Sequence, residues 1–101
     1  MSTNEAYKAE LSRFLSGFGA NVRRVRTAKG GALSQEALSD LTGLHRTEIG
    51  KIEQGTVEPR LTTLLILAEA LGVRLDELID GLPVPQERKP SPQARQQQLE
   101  A

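Results

Sequence analysis

The sequence contains no cysteine and only one histidine, His45, and these shortages exclude several kinds of site. Without cysteine the chain can form neither a disulfide framework nor a thiolate metal centre. A single imidazole cannot supply the histidine clusters that are typical of catalytic zinc sites. We therefore expect that the protein binds no metal ion and needs no cofactor.

Long apolar stretches are missing as well. No run of residues approaches the roughly 18 apolar positions of a membrane-spanning helix, and the N-terminus lacks the basic-then-apolar pattern of a secretion signal. We expect a cytoplasmic protein that does not associate with a membrane. The sequence also lacks a nucleophile with a base partner and a glycine-rich loop for phosphate, so we predict that it is not an enzyme.

Aromatic residues make up only 3% of the chain, whereas hydrophobic residues of all kinds reach 38%. The core must therefore be built from Leu, Ile, Val and Ala. A length of 101 residues fits one domain. We find no alternation of the kind that predicts strands and no internal repeat, and the expected fold class is all-α.

The net charge of zero is unusual for a protein that binds nucleic acid, but the charges are unevenly distributed. Residues 18–60 carry seven basic side chains against five acidic ones, and residues 61–82 carry one against four. Affinity for phosphate depends on the charge that faces the duplex rather than on the total. The neutral sum therefore leaves nucleic-acid binding open.

The spacing of apolar residues predicts a series of short helices. Residues 4–16 have helical spacing, but Gly17 and Gly19 interrupt the pattern, and we predict a separate short helix or a kinked extension there. Further along, Ser34 and His45 are the expected N-caps, and a glycine follows most of the C-termini. The predicted helices after the extension span residues 18–29, 35–42, 46–54, 61–71 and 75–79.

These elements divide the chain into an N-terminal helical extension over residues 1–17, a five-helix domain over residues 18–82 and a tail over residues 83–101. The tail is rich in glutamine and proline and has almost no apolar residues. Such a segment cannot bury enough surface to offset the entropy lost on ordering, so we expect it to be disordered.

The most informative stretch runs from residue 34 to residue 55, where two short helices follow each other across a glycine turn. Leu38, Ile49 and Ile52 are expected to fill the wedge between these helices. On a helical wheel for residues 46–54, Ile49 and Ile52 centre the buried side. The opposite arc, which we call the outer face, contains no carboxylate and consists of Arg46, Thr47, Gly50, Lys51 and Gln54.

Together these residues and spacings make the sequence similar to the phage-repressor and Cro-type helix-turn-helix family, often called XRE-like, over residues 18–78. The resemblance implies a lambda-repressor-like domain of five helices, here with an extra N-terminal helix and a disordered C-terminal tail. It further implies binding to operator DNA, usually as a symmetric dimer. The motifs that carry it are Arg23-x-x-Arg26, Leu33-Ser34-Gln35-x-x-Leu38, Gly43 with Ile49, Ile52-Glu53-x-Gly55, Pro59, and Leu64-x-x-x-Ala68-x-x-Leu71-Gly72-Val73.

Matched position by position, the resemblance implies which side chains touch DNA. Arg46, Thr47 and Lys51 correspond to base-reading positions, and an arginine can bind guanine through two hydrogen bonds. Arg26 and Glu53 correspond to a structural ion pair between the first long helix and the recognition helix, residues 46–54. We further expect phosphate contacts from Ser34, Gln35 and Arg60, and close approach or secondary contacts from His45, Gly50 and Gln54.

Glycine inside a helix costs about 1 kcal/mol relative to alanine, and Gly50 therefore invites an explanation. One explanation is that the helix backbone approaches the base edges at this position. The alternative is a solvated glycine without a role, since an isolated glycine in a helix is tolerated.

We expect a sequence-specific transcriptional regulator that acts on double-stranded DNA as a homodimer, with repression as the favoured outcome. Leu75, Leu78, Ile79 and Leu82 offer apolar side chains for the dimer surface. The N-terminal helix and the tail are candidate surfaces for a partner protein. Two alternatives stay open: an antitoxin or restriction-system controller with the same domain, and a protein-interaction module of the same fold, which the zero net charge favours.

Overall fold

The computed structural model describes residues 3–29, 33–86 and 99, and these residues form helices, turns and coil without a strand. The prediction of an all-α fold is confirmed. Within the described part of the chain, none of the helices has the length and apolarity needed to cross a membrane. The five helices are α1 (Thr3–Thr27), α2 (Gln35–Thr42), α3 (Arg46–Gln54), α4 (Leu61–Leu71) and α5 (Leu75–Ile79).

The ends of α2 and α3 lie where the local sequence places them. The Ser34 hydroxyl accepts a hydrogen bond from the backbone N–H of Ala37 at 3.0 Å, and the Nδ1 atom of His45 accepts one from the N–H of Thr47 at 3.1 Å. Both are N-caps, which satisfy a backbone donor that has no partner inside the helix. After α2 the chain turns at Gly43, whose φ of 77° is the left-handed conformation that glycine adopts at low cost.

The prediction of a separate short helix before Gly17 was wrong, because α1 is one continuous helix of 25 residues. Gly19 lies on the backbone of α3: a Cβ atom there would collide with the carbonyl oxygens of Ile52 and Glu53. Gly17 faces Leu82, whose Cδ2 atom would lie 2.7 Å from an added Cβ. The two glycines therefore permit close packing against α1, and the extension over residues 3–17 is continuous with the helix that enters the core.

The core is mainly aliphatic, as the composition predicts, but it also includes the buried Phe18, with Phe14 packed against it. The spacing of Leu41 from Leu38 in α2 also favours a buried position, but Leu41 is 65% exposed. The largest fully buried side chains are Phe18, Val22, Leu38, Ile49, Ile52, Leu67, Leu71 and Leu78.

The C-terminal residues of the domain are less available for a dimer surface than the sequence suggested. Leu78 is fully buried in the core, and Leu82 packs against it beside Gly17. Of the four apolar residues proposed for that surface, Ile79 is the exposed one, at 40%.

The chain continues from Leu82 along α1. The backbone N–H of Gln86 donates to the Glu10 carboxylate at 3.0 Å, and Pro83 and Pro85 line a cavity of about 130 Å³ beside Glu10. The rest of the predicted disordered tail, except for Leu99, lies outside the described residues.

Candidate nucleic-acid interface

The turn between α2 and α3 is held by side-chain hydrogen bonds that set the direction of α3. The Ser39 hydroxyl donates to the carbonyl oxygen of Leu44 at 2.6 Å, and the Thr42 hydroxyl accepts from the Leu44 N–H at 3.1 Å. Leu38 and Ile49 are fully buried between the two helices. The side of α3 opposite the isoleucines is therefore turned towards solvent.

The outer face of α3 is open. Arg46, Thr47, Lys51 and Gln54 are exposed, and a Cβ atom added to Gly50 would meet nothing within 4 Å. Packing within the described protein thus gives no reason for glycine at position 50. A duplex could approach the helix backbone here more closely than any side chain would allow.

A groove of about 760 Å³ borders the outer face and separates α3 from the loop that leads into α4. Thr47 and Lys51 line it from α3, and Arg60 lines it from the loop. Two carboxylates, Glu48 and Glu58, line the same groove. Glu48 follows Thr47 in α3, and sequence reasoning missed Glu58, which reaches the groove from a loop without periodicity.

A hydrogen-bonded network connects the candidate ion pair to a candidate phosphate contact. The Nε atom of Arg26 donates to Oε2 of Glu53 at 2.6 Å, and its Nη2 atom donates to Oε1 at 3.0 Å. The Nε2 atom of Gln35 donates to the same Oε1 atom at 3.0 Å. The hydrogen bond and the negative charge of Glu53 raise the pKa of Arg26 despite its burial, so the guanidinium stays protonated.

This network is largely shielded from water. The side chains of Arg26 and Glu53 are 11% and 4% exposed. Removing one partner of this partly buried ion pair should destabilise the fold, because the other charge is left without compensation. The pair therefore holds α3 against α1, and Gln35 is hydrogen-bonded to the Glu53 carboxylate of this pair.

The other expected phosphate contacts lie near the ends of helices. Ser34 is exposed, although its hydroxyl already caps α2. Arg60 is exposed at the N-cap position of α4, where its side chain makes no cap hydrogen bond. The structure thus brings Arg60 to the groove beside Thr47 and Lys51, whereas Gln35 lies on another side of α3 with Glu53.

Comparison with known proteins identifies relatives of this architecture. The model of a helix-turn-helix family matches residues 22–78, from α1 to α5. Over 64 residues the chain is 42% identical to the SPbeta prophage-derived uncharacterized HTH-type transcriptional regulator YonR of Bacillus subtilis. That match covers 63% of this chain and 57% of the Bacillus protein, so the chain spans little more than half the length of that relative.

Two further relatives are controller proteins. Over 59 residues the chain is 44% identical to the control protein C.SmaI of Serratia marcescens, a match that covers 58% of this chain and 68% of C.SmaI. The crystal structure of the restriction-modification controller protein C.AhdI from Aeromonas hydrophila is similar with a TM-score of 0.60 and 45% identity. It covers 63% of this chain and 94% of C.AhdI.

Proposed function

Because the chain belongs to the XRE-type helix-turn-helix family, we propose that it regulates transcription by placing α3 in the major groove of a specific DNA site. The observation that supports this most directly is the outer face of α3, which is exposed, free of carboxylates and open at Gly50. The buried Ile49 and Ile52 hold that face outward. A major groove is wide enough to admit a helix presented in this way.

Base reading is assigned to three side chains of the outer face. Arg46 donates to O6 and N7 of a guanine, the commonest specific contact in protein–DNA complexes. Thr47 contacts a thymine methyl group or a phosphate, and Lys51 a guanine or a phosphate. His45 and Gln54 make secondary contacts at the two ends of α3.

Contacts with the DNA backbone, which position the protein on the duplex, are assigned to residues outside the outer face. Gln35 and Ser34 donate to a phosphate at the start of α2, and Arg60 contacts a phosphate from the α3–α4 loop. Contacts of this kind fix the register of a protein on the duplex without reading its sequence. Gly50 lets the backbone of α3 come close to the base edges.

We propose that two copies act together as a repressor on a near-palindromic site. In a symmetric dimer the two recognition helices enter successive major grooves about 34 Å apart. The exposed Ile79 remains a candidate for the dimer surface, and the N-terminal part of α1 or the tail remains a candidate contact for a partner protein. The proposal places the protein in the cytoplasm and assigns it no enzymatic activity, no cofactor and no membrane contact.

The test is a selection of bound sites from random duplex DNA by the full chain, read by sequencing. We expect an enriched motif with two inverted half-sites whose centres lie about one helical turn apart. Sedimentation of the protein with the enriched duplex should give two chains per site. Absence of binding to any duplex at low salt would contradict the proposal and favour the protein-interaction module instead.

The similarity to C.SmaI and C.AhdI favours one specific role, control of a restriction–modification system. Control of such a system by a DNA-binding protein requires binding sites near the genes for its nuclease and methyltransferase. We therefore expect the enriched motif to occur upstream of the gene for this chain, beside genes for a nuclease and a methyltransferase. A neighbouring toxin gene would instead indicate an antitoxin.

A further inference from the structure

One partly buried arginine, Arg26, links the start of α2 to α1 and α3. Besides its two hydrogen bonds to Glu53, Arg26 donates from Nη1 to the carbonyl oxygen of Leu33 at 3.2 Å. Leu33 immediately precedes the N-cap Ser34. Arg26 thus holds the backbone that enters α2 and, through Glu53, the side chain of Gln35 at the first position of α2.

The hydrogen bond from Gln35 to Glu53 has a directional consequence. A side-chain amide has two N–H donors in one plane, and Glu53 accepts one of them. The second N–H lies in the plane of the amide and points away from the first bond. The amide is therefore held in one orientation before any ligand arrives, and a contact made by it loses less conformational freedom than a contact made by a free glutamine.

The charge of Arg26 matters for the same contact. Glu53 accepts a hydrogen bond from the residue that would donate to a phosphate, and a bare carboxylate at this place would repel the phosphate. Arg26 binds both carboxylate oxygens of Glu53 and balances their charge. Gln35 can therefore use Glu53 as an anchor without its negative charge opposing the approach of DNA.

We propose that Arg26 and Glu53 are positioning residues for the DNA backbone contact of Gln35, and that the ion pair serves DNA binding as well as stability. The inference rests on the proposed function, in which Gln35 donates to a phosphate. It adds that Glu53 directs the free N–H of Gln35 and that Arg26 neutralises Glu53.

The test is a double-mutant cycle that uses Glu53→Gln and Gln35→Ala, singly and together, in the full chain. The dissociation constant is measured on the enriched duplex and on a random-sequence duplex at one salt concentration. Glu53→Gln also removes a negative charge, which acts equally in both backgrounds, so the test is the ratio of the two factors. We expect the substitution to weaken binding about fivefold more when Gln35 is present than when residue 35 is alanine, since contacting residues are coupled. An equal factor in both backgrounds would overturn the inference, because a purely structural role does not depend on Gln35.

A matched control separates positioning from stability. Asn21→Ala removes another hydrogen bond between helices, from Nδ2 of Asn21 to the carbonyl oxygen of Leu78 at 2.8 Å, which does not involve Arg26, Glu53 or Gln35. It should lower the thermal unfolding midpoint and change DNA affinity by the same factor in both backgrounds. DNA binding of all variants is measured at a temperature well below their thermal unfolding midpoints.

If Glu53→Gln does not fold, Arg26→Lys takes its place in the same cycle. An ammonium group keeps the positive charge but cannot hold both oxygens of Glu53 and the Leu33 carbonyl in one plane. The expected pattern is the same: a loss of affinity that requires Gln35. A wild-type protein that binds no duplex would contradict the proposed function itself. If the wild type binds and the effects of the two substitutions on the dissociation constant are independent, only this inference is overturned.

Discussion

Arg46 occupies the first position of α3 and is exposed, so its guanidinium can reach two acceptors of one base. We expect Arg46→Ala to remove about 1–3 kcal/mol of preference for the enriched site. Nonspecific binding should persist because Lys51 and Arg60 remain. Competition between the enriched duplex and a scrambled duplex measures the effect, and equal weakening on both would contradict a base contact.

Glu48 is the residue of α3 that opposes a duplex by its charge. It is exposed and lines the groove beside Lys51 and Arg60, whose cations it partly offsets. We expect Glu48→Gln, which keeps the size of the side chain, to raise affinity for every duplex about threefold to tenfold at low salt. The gain should shrink as salt screens the charge.

The control for Glu48→Gln is Glu69→Gln, which changes the net charge equally on an exposed position of α4 outside the groove. Equal effects of the two substitutions in a binding titration would mean that the position of Glu48 has no importance. In that case the net charge of the chain alone would govern affinity.

At the scale of single residues, the sequence predicts which side chains of α3 point outward, because a helical wheel needs only the helix itself. It could not predict that Gln35 binds Glu53, since the two lie 18 positions apart and belong to different helices. Glu58 is a similar case, because its place in the groove depends on how the α3–α4 loop folds back. Side chains that meet across elements require the tertiary structure.

Among the helices, the contact of α1 with α3 depends on the absence of a side chain at Gly19. We expect Gly19→Ala to destabilise the fold by about 1–3 kcal/mol, because the added methyl group collides with backbone carbonyls that cannot move independently. Chemical denaturation followed by circular dichroism measures the loss. An unchanged midpoint would show that α1 can shift away from α3 without cost.

Gly50→Ala is the matched substitution, since it adds the same methyl group to a helical glycine with open space around it. Alanine should stabilise α3 by up to about 1 kcal/mol through its higher helix propensity. DNA affinity should nevertheless fall if the backbone of α3 approaches the bases. A variant that gains stability and keeps full affinity would identify Gly50 as a solvated glycine without a role in binding.

The local sequence predicts where some helices end, but not where α1 ends. The ends of α2 and α3 depend on neighbouring residues, such as the caps Ser34 and His45, and their bounds follow from the local sequence. Gly19 has the same local preference for ending a helix, but its neighbours in α3 favour a continuous α1. Whether the helix ends at Gly19 therefore depends on its packing against α3, which the local sequence does not show.

For the whole molecule, a net charge of zero means that attraction to DNA must come from the distribution of charge. Lys51 and Arg60 lie together at the groove beside α3, whereas Asp76, Glu77 and Asp80 form an acidic cluster at α5. A protein of this kind should be attracted to a duplex in one orientation only. Its binding should depend on salt to the extent that the cations at the interface contact phosphates.

Salt dependence therefore distinguishes local charge from total charge. Each phosphate contact adds about −0.9 to the slope of log K against log salt concentration, so Arg60→Gln should make the slope less negative by about 0.9 per chain. Arg74→Gln lowers the net charge equally, but Arg74 is exposed at the start of α5 and pairs with Asp76 at 3.1 Å. The slope of this second variant should equal that of the wild type. A series of titrations between low and moderate salt measures both slopes. Equal shifts in the two variants would mean that the duplex senses the overall charge of the chain rather than the surface around α3.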